Sequence, residues 1–103
     1  MIYKDFIGGW FVGDFSPSLF KRTDIEVGLK YLEKGFIDAA HFHKASTEFN
    51  LIVYGVVSSG SKIFKKGDFM NFLPNEISQV ECLEDAAILV IRDGKGVGDK
   101  YEV

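Results

Sequence analysis

Cysteine is nearly missing from this chain: Cys82 stands alone among 103 residues, so no disulfide can close within it. Set in the strand-like run Val80-Glu81-Cys82-Leu83 with no base close in sequence, it reads as a small buried hydrophobe rather than a nucleophile. Long apolar runs are missing too. The longest, at 86–91, has about six residues, against the ~20 that cross a bilayer as a helix, which excludes a transmembrane helix and a membrane partner. The first ten residues carry no long apolar stretch behind a basic start, so no signal peptide is expected and the cytoplasm is the expected compartment. There is no excess of positive charge. The net charge is −3 and the pI about 5.3, and the basic clusters (Lys21-Arg22, and Lys62 with Lys65-Lys66) lie close to acids. A surface that tracks phosphates needs a basic stripe, so nucleic acid is excluded as a partner.

Aromatic residues and glycine are what the chain has in plenty, with ten Phe and eleven Gly. Hydrophobic residues at 47% and charged residues at 26% are the balance of a soluble globule, and the length suits one domain over 1–103. So many Phe imply a well-filled core or strands that pack on two faces. Gly, Asn, Asp and Pro punctuate the chain into pieces of strand length. Strands are expected at 6–12, 25–32, 37–43, 48–57, 62–64 and 69–73. A final pair is expected at 77–83 and 86–92, parted by Glu84-Asp85. Ser58-Ser59-Gly60-Ser61 reads as a hairpin turn, and Pro74-Asn75 stops the strand before it. With Ser18 as a cap, residues 18–25 are the one helix candidate. The segment 93–103 reads as a surface tail, with Gly94, Gly96 and Gly98 making it flexible rather than a phosphate loop. So many short strands at such regular turn spacing mean an all-β sandwich or barrel.

The two histidines, His41 and His43, are one residue apart. In a strand, residues i and i+2 share a face, so both imidazoles can converge on one point. Glu48 begins the next strand after a short connection, and an antiparallel return would bring its carboxylate to the same point. Two His and one carboxylate with open positions form a facial site for a divalent metal ion such as Fe, Mn, Zn or Ni. Asn50 shares the face of Glu48 and would orient a ligand or bound water there. Lys30 and Tyr31 are neighbours mid-strand, so only one of them points inward. Trp10 and Tyr54 read as core or interface residues.

The order Gly35-x5-His41-x-His43-x4-Glu48-x6-Gly55 resembles the first conserved motif of the cupin family. Gly67-Asp68 through Pro74 and on to Gln79 is similar to the second, with Glu76 where Gly is usual and Gln79 where a His is usual. The resemblance spans the motif core 25–92, with N-terminal strands in 1–24. Gly9 to Phe15 and Asp99-Lys100-Tyr101 are also similar to small single-domain cupins. It implies a small double-stranded β-helix, the jelly-roll barrel, with a metal inside it. Carried over by position, the ligands are His41, His43 and Glu48, with Gln79 in the fourth place, and the barrel encloses a small-molecule ligand.

Two functions compete on these residues. One is a metal-dependent enzyme of dioxygenase or isomerase type on a small organic acid or sugar; no general acid or base beyond the ligands stands out, Glu81 being the nearest candidate. The other is a non-catalytic sugar or small-molecule binding module in which the metal is weak or absent. Edge strands and abundant Phe leave apolar surface to cover, so a homodimer is expected.

Overall fold

The computed structural model describes residues 1–93 and 98–103, so Gly94 and Gly96 of the glycine-rich tail lie outside the described residues. Strands dominate: β1 (Trp10–Val12), β2 (Ile25–Leu32), β3 (His41–Phe42), β4 (Glu48–Ser59), β5 (Lys62–Lys65), β6 (Phe69–Phe72), β7 (Val80–Asp93) and β8 (Tyr101–Glu102). The one helical element among the described residues is a 3-10 turn at Tyr3–Asp5. The expected helix at 18–25 does not form. Residues 18–24 are irregular save for a bridge from Phe20 to Val12, and Ile25 already opens β2. β-Branched Thr23 and Ile25 disfavour a helix here, and so short a segment is marginal as a helix without an apolar face to pack.

All named strand pairs are antiparallel. Six strands form one sheet in the order β1-β2-β7-β4-β5, with β6 also on β4, and β3 pairs with β8 apart from it. β4 and β7 carry this arrangement, because each is long enough to hold two partners. The first half of β4 pairs with β6 and its second half with β5 along one edge, while β7 takes the other edge.

β7 corrects one expectation. It runs unbroken through Glu84-Asp85, where a turn between two strands was expected. Neither residue favours the positive φ of a tight hairpin as Gly does. The irregularity lies in the pairing of β7 with β4, where the register shifts between Ile52 and Val57 and six steps on β7, Ile88 to Cys82, face five on β4. Glu48, Asn50 and Ile52 point inward and Phe49, Leu51 and Val53 outward. A strict period of two would then bury Tyr54, yet Tyr54 is exposed and Val57 is fully buried. The register shifts on either side of Gly55 reset the phase.

The core is a cluster of Ile52, Val57, Met70, Val80, Cys82, Ala86, Ile88 and Val90, with Trp10, Leu32, Phe64 and Phe72 packed against it. Gly28 makes room for Trp10: a Cβ there would lie 2.8 Å from the indole. Cys82 is buried as expected, and burial pushes its thiol up from the ordinary value. No Phe lies in the buried cluster. Phe49 and Phe69 lie on the outer face of the sheet, exposed, so the aromatic wealth serves strands apolar on both faces. The segment expected to be a surface tail is partly structural: β8 pairs with β3, and Asp99 is buried. No helix among the described residues is long and apolar enough to cross a membrane.

Candidate metal and ligand site

Strand alternation sets the first two side chains. Phe42 turns away from the barrel and stacks on Tyr101, with ring centroids 5.6 Å apart. Its neighbours His41 and His43 therefore both turn inward and are buried, their rings 5.4 Å apart and almost perpendicular. Each ring is anchored through Nδ1. His41 Nδ1 lies 2.8 Å from the Ala39 carbonyl oxygen and His43 Nδ1 lies 2.5 Å from that of Asp99. A carbonyl oxygen only accepts, so in the neutral rings each Nδ1 carries the proton and each Nε2 keeps its lone pair. Among the described residues neither Nε2 makes a hydrogen bond.

Glu48 reaches the same wall from the start of β4. Its row across the sheet is Glu26 on β2, Arg92 on β7 and Glu48 on β4, directly opposite one another. Arg92 Nε donates to Glu26 Oε1 at 2.7 Å, and its Nη1 stands 3.9 Å from Glu48 Oε2. The Asn50 amide nitrogen donates to the Met70 carbonyl at 2.9 Å and to Glu48 Oε1 at 3.3 Å, so Asn50 orients the carboxylate. The other oxygen, Oε2, is 3.8 Å from His43 Nε2.

These groups surround a cavity of about 410 Å³. Met70, Val80, Ile88 and Val90 line it and also belong to the core, so the apolar interior grades into a polar end. His41, His43, Glu48 and Asn50 all line it; Gln79 does not. The fourth place expected for Gln79 is corrected by the strand pairing. Ser78 exchanges both backbone hydrogen bonds with His41, and its side chain enters the cavity. Alternation then sends Gln79 and Glu81 outward, where both are exposed, and Ser78, Val80 and Cys82 inward. Glu81 is thereby removed as a general base.

As they stand, no three or more His, Cys, Asp or Glu side chains among the described residues form a group that could hold a metal ion. Donors about 2.1 Å from one ion at right angles sit ~3.0 Å apart, so the His43–Glu48 gap is about 1 Å too wide. The donor types fit a divalent ion nonetheless: two imidazole nitrogens of the correct tautomer and a carboxylate face one cavity.

Three further residues line the cavity, and of these only Lys30 was a candidate for an inward place from the sequence. Trp10, expected as a core or interface residue, packs against the core and also faces the cavity. The Arg92 guanidinium carbon is 4.3 Å from its ring centre and Lys30 Nζ is 4.6 Å. Lys30 is thus the inward member of its pair; Tyr31 is exposed and packs edge-on against Tyr3. Burial, then the charge of Arg92, holds the Lys30 ammonium below the ordinary lysine value. Alternation marked Lys30 or Tyr31 as inward, but Trp10 and Arg92 had no local signal, because β1, β2 and β7 bring the three together from distant parts of the chain.

Asp99 is another residue missed. Its carboxylate accepts the backbone N–H groups of Lys44 at 3.0 Å, Ala45 at 2.8 Å and Ser46 at 3.0 Å, while its carbonyl anchors His43. The Ala45 hydrogen bond, first among these contacts, holds the carboxyl below its ordinary 3.8. A carboxyl lowered on folding contributes stability that is complete above the unfolded value and is lost as pH falls through the folded one. Asp99→Ala frees the loop that carries His43, and we expect affinity for a divalent metal to fall roughly 10–100-fold. Titration of Zn(II) or Mn(II) into wild type and variant checks this; equal affinities would show that Asp99 does not position His43.

No protein-family model matches the chain, and no curated protein sequence does. Solved structures do. KdgF from Halomonas sp. superposes with a TM-score of 0.68 at 14% identity, covering 72% of this chain and 72% of that one. An uncharacterized protein with a double-stranded β-helix domain from Klebsiella pneumoniae gives 0.65 at 16% identity, over 74% of this chain and 68% of that one. A cupin-superfamily sugar phosphate isomerase from Silicibacter pomeroyi gives 0.59 at 23% identity, over 68% of this chain and 50% of that one.

Proposed function

We propose that this chain, which has the double-stranded β-helix fold of the cupins, holds a divalent metal on His41, His43 and Glu48. In this reading it acts as a metal-dependent enzyme, of dioxygenase or isomerase type, on a small organic acid or sugar bound in its cavity. The observation that carries the reading is the anchoring of both Nδ1 atoms, which leaves two Nε2 lone pairs on one cavity wall. Such anchoring is how proteins set metal-binding imidazoles, and here it exists without any hydrogen bond that would otherwise use the Nε2 atoms. When bound, a metal supplies Lewis-acid charge to a substrate oxygen. The chain's own residues do the rest. Asn50 orients Glu48, Arg92 stands behind that carboxylate, and Met70, Val80, Ile88 and Val90 keep one side of the cavity apolar. An enzyme among the structural neighbours, a sugar phosphate isomerase by name, supports an enzymatic role.

Metal analysis tests this. After incubation with Fe(II), Mn(II), Zn(II) or Ni(II) and desalting, about one ion per chain should remain. It should raise Tm by an amount that grows with free metal, and His43→Ala should abolish both effects. A chain that takes up none of the four ions sinks the reading.

A second reading, the non-catalytic binding module, rests on a specific observation: Ser78 rather than a stronger donor stands opposite His41. Thermal shifts with sugars and carboxylates separate the two. Shifts that survive a chelator favour the module; shifts that a chelator abolishes favour the metal enzyme.

A further inference from the structure

Counting charge around the cavity shows an imbalance. Lys30, Arg92 and Lys100 line it against two carboxylates, Asp38 and Glu48. Glu48 faces His43, Asn50 and Arg92, and Asp38 stands on the His41 side of the cavity, 3.8 Å from Nδ1. Arg92 spends its Nε on Glu26.

Lys30 has no such partner. Its ammonium donates to the Gly8 carbonyl at 2.7 Å and lies over the Trp10 ring, and among the described residues no carboxylate comes within 4.0 Å of it. Two of its three N–H donors are left for the cavity. The arrangement is costly without a ligand, because Arg92 brings a second cation to the same indole. Burial of Lys30, then that like charge, works against its ammonium form, and Glu48 and Asp38 at longer range offset only part of this. A cation–π contact offsets only part of this cost.

We infer that the cavity binds its ligand by an anionic group, a carboxylate or a phosphate, seated beside Trp10 on the Lys30 ammonium, with Arg92 as the second cation. Both side chains come from rows of the sheet that Trp10 bridges. Lys30 lies opposite Ile88 on β7, and Arg92 lies four residues further along that strand, yet their charged ends meet at one ring. The wall of His41 and His43 is left for the uncharged part of the ligand. The inference deepens the proposed function by naming the ligand class, and it does not need the metal.

Trp10 is the only tryptophan, so its fluorescence reports on this point of the cavity alone. The experiment is a titration of the full chain in EDTA, in low salt, with glycerol, glycerate and glycerol 3-phosphate, each to 50 mM. The three share a carbon skeleton and differ in charge and in the source of the anion. A saturable change is expected with glycerate, with glycerol 3-phosphate or with both, and none with glycerol; which anion binds tighter identifies the source. Lys30→Met should weaken that binding roughly tenfold or more, and Lys30→Arg, which keeps the charge, should restore most of it. Lys66→Met, on the exposed β5–β6 turn, should leave it unchanged. If Lys30→Met does not fold, the comparison of Lys30→Arg with glycerol against the anions still decides. An equal response to glycerol, no saturable response to either anion, or binding unaffected by Lys30→Met would overturn the inference. Because EDTA is present throughout, anion binding with no metal uptake refutes the proposed metal site alone. Metal uptake without anion binding refutes this inference alone.

Discussion

Arg92→Met should destabilise the protein by about 3–5 kcal/mol, a fall in Tm on the order of 20 °C for a domain of this size. Glu26 is the reason. It is 4% exposed, and its carboxylate has Arg92 Nε at 2.7 Å as its single hydrogen-bond donor among the described residues. Taking the guanidinium away leaves a buried charge unpaired, which costs far more than the pair itself contributes. The same substitution removes a cation from the face of Trp10 and from the flank of Glu48. The double variant Glu26→Gln, Arg92→Met removes both charges and should recover much of the loss. Thermal unfolding of the two variants checks this, and a single variant that melts within a few degrees of wild type contradicts the account.

Gly55→Ala should be comparably severe, at about 3 kcal/mol or more. A Cβ at this position would stand 2.3 Å from the Asp85 carbonyl oxygen and 2.5 Å from the Ala86 Cα, both backbone atoms of β7 that cannot turn aside. The residue also has φ +89°, which side chains other than glycine adopt at a cost of about 1–3 kcal/mol. Gly60 supplies the control. It has φ +61° in the β4–β5 turn, but a Cβ there meets nothing within 4 Å. Gly60→Ala should cost only the conformational part, roughly 1–2 kcal/mol. Urea denaturation of both variants separates the two contributions, and equal losses would show that the contact with β7 is not decisive.

The two cases bear on what could be read from the residues alone. β2 was legible to its ends, because strand-forming apolar residues recur through 25–32 up to the turn at Glu33-Lys34-Gly35. The shared inward face of His41 and His43 was legible because spacing within one strand decides it. Glu48 and Asn50 needed only a short antiparallel return. Gln79 was misplaced because its position was measured along the chain from Gly67 and Pro74. Its face is decided by pairing instead. Asn75, at φ 70°, donates its N–H to the His43 carbonyl at 2.6 Å, and Ser78 then pairs with His41, which puts Gln79 out of phase by one residue. The unbroken β7 was hidden in the same way, since Glu84 and Asp85 are absorbed as register shifts in its pairing with β4. Arg92, Lys30 and Trp10 belong to one site only after three strands have come together.

The β3–β8 pair also orders events in time. His43 takes its orientation from Asp99, and the loop at 44–46 takes its shape from the same residue, more than fifty positions further along the chain. During synthesis the large sheet can be assembled once β7 has emerged, and His41 has its anchor in Ala39, but His43 has none until Asp99 follows. A nascent chain stalled short of Asp99 would hold the barrel's core and lack its means of aiming His43. The orientation of His43 therefore depends on a residue that lies beyond the last strand of the large sheet.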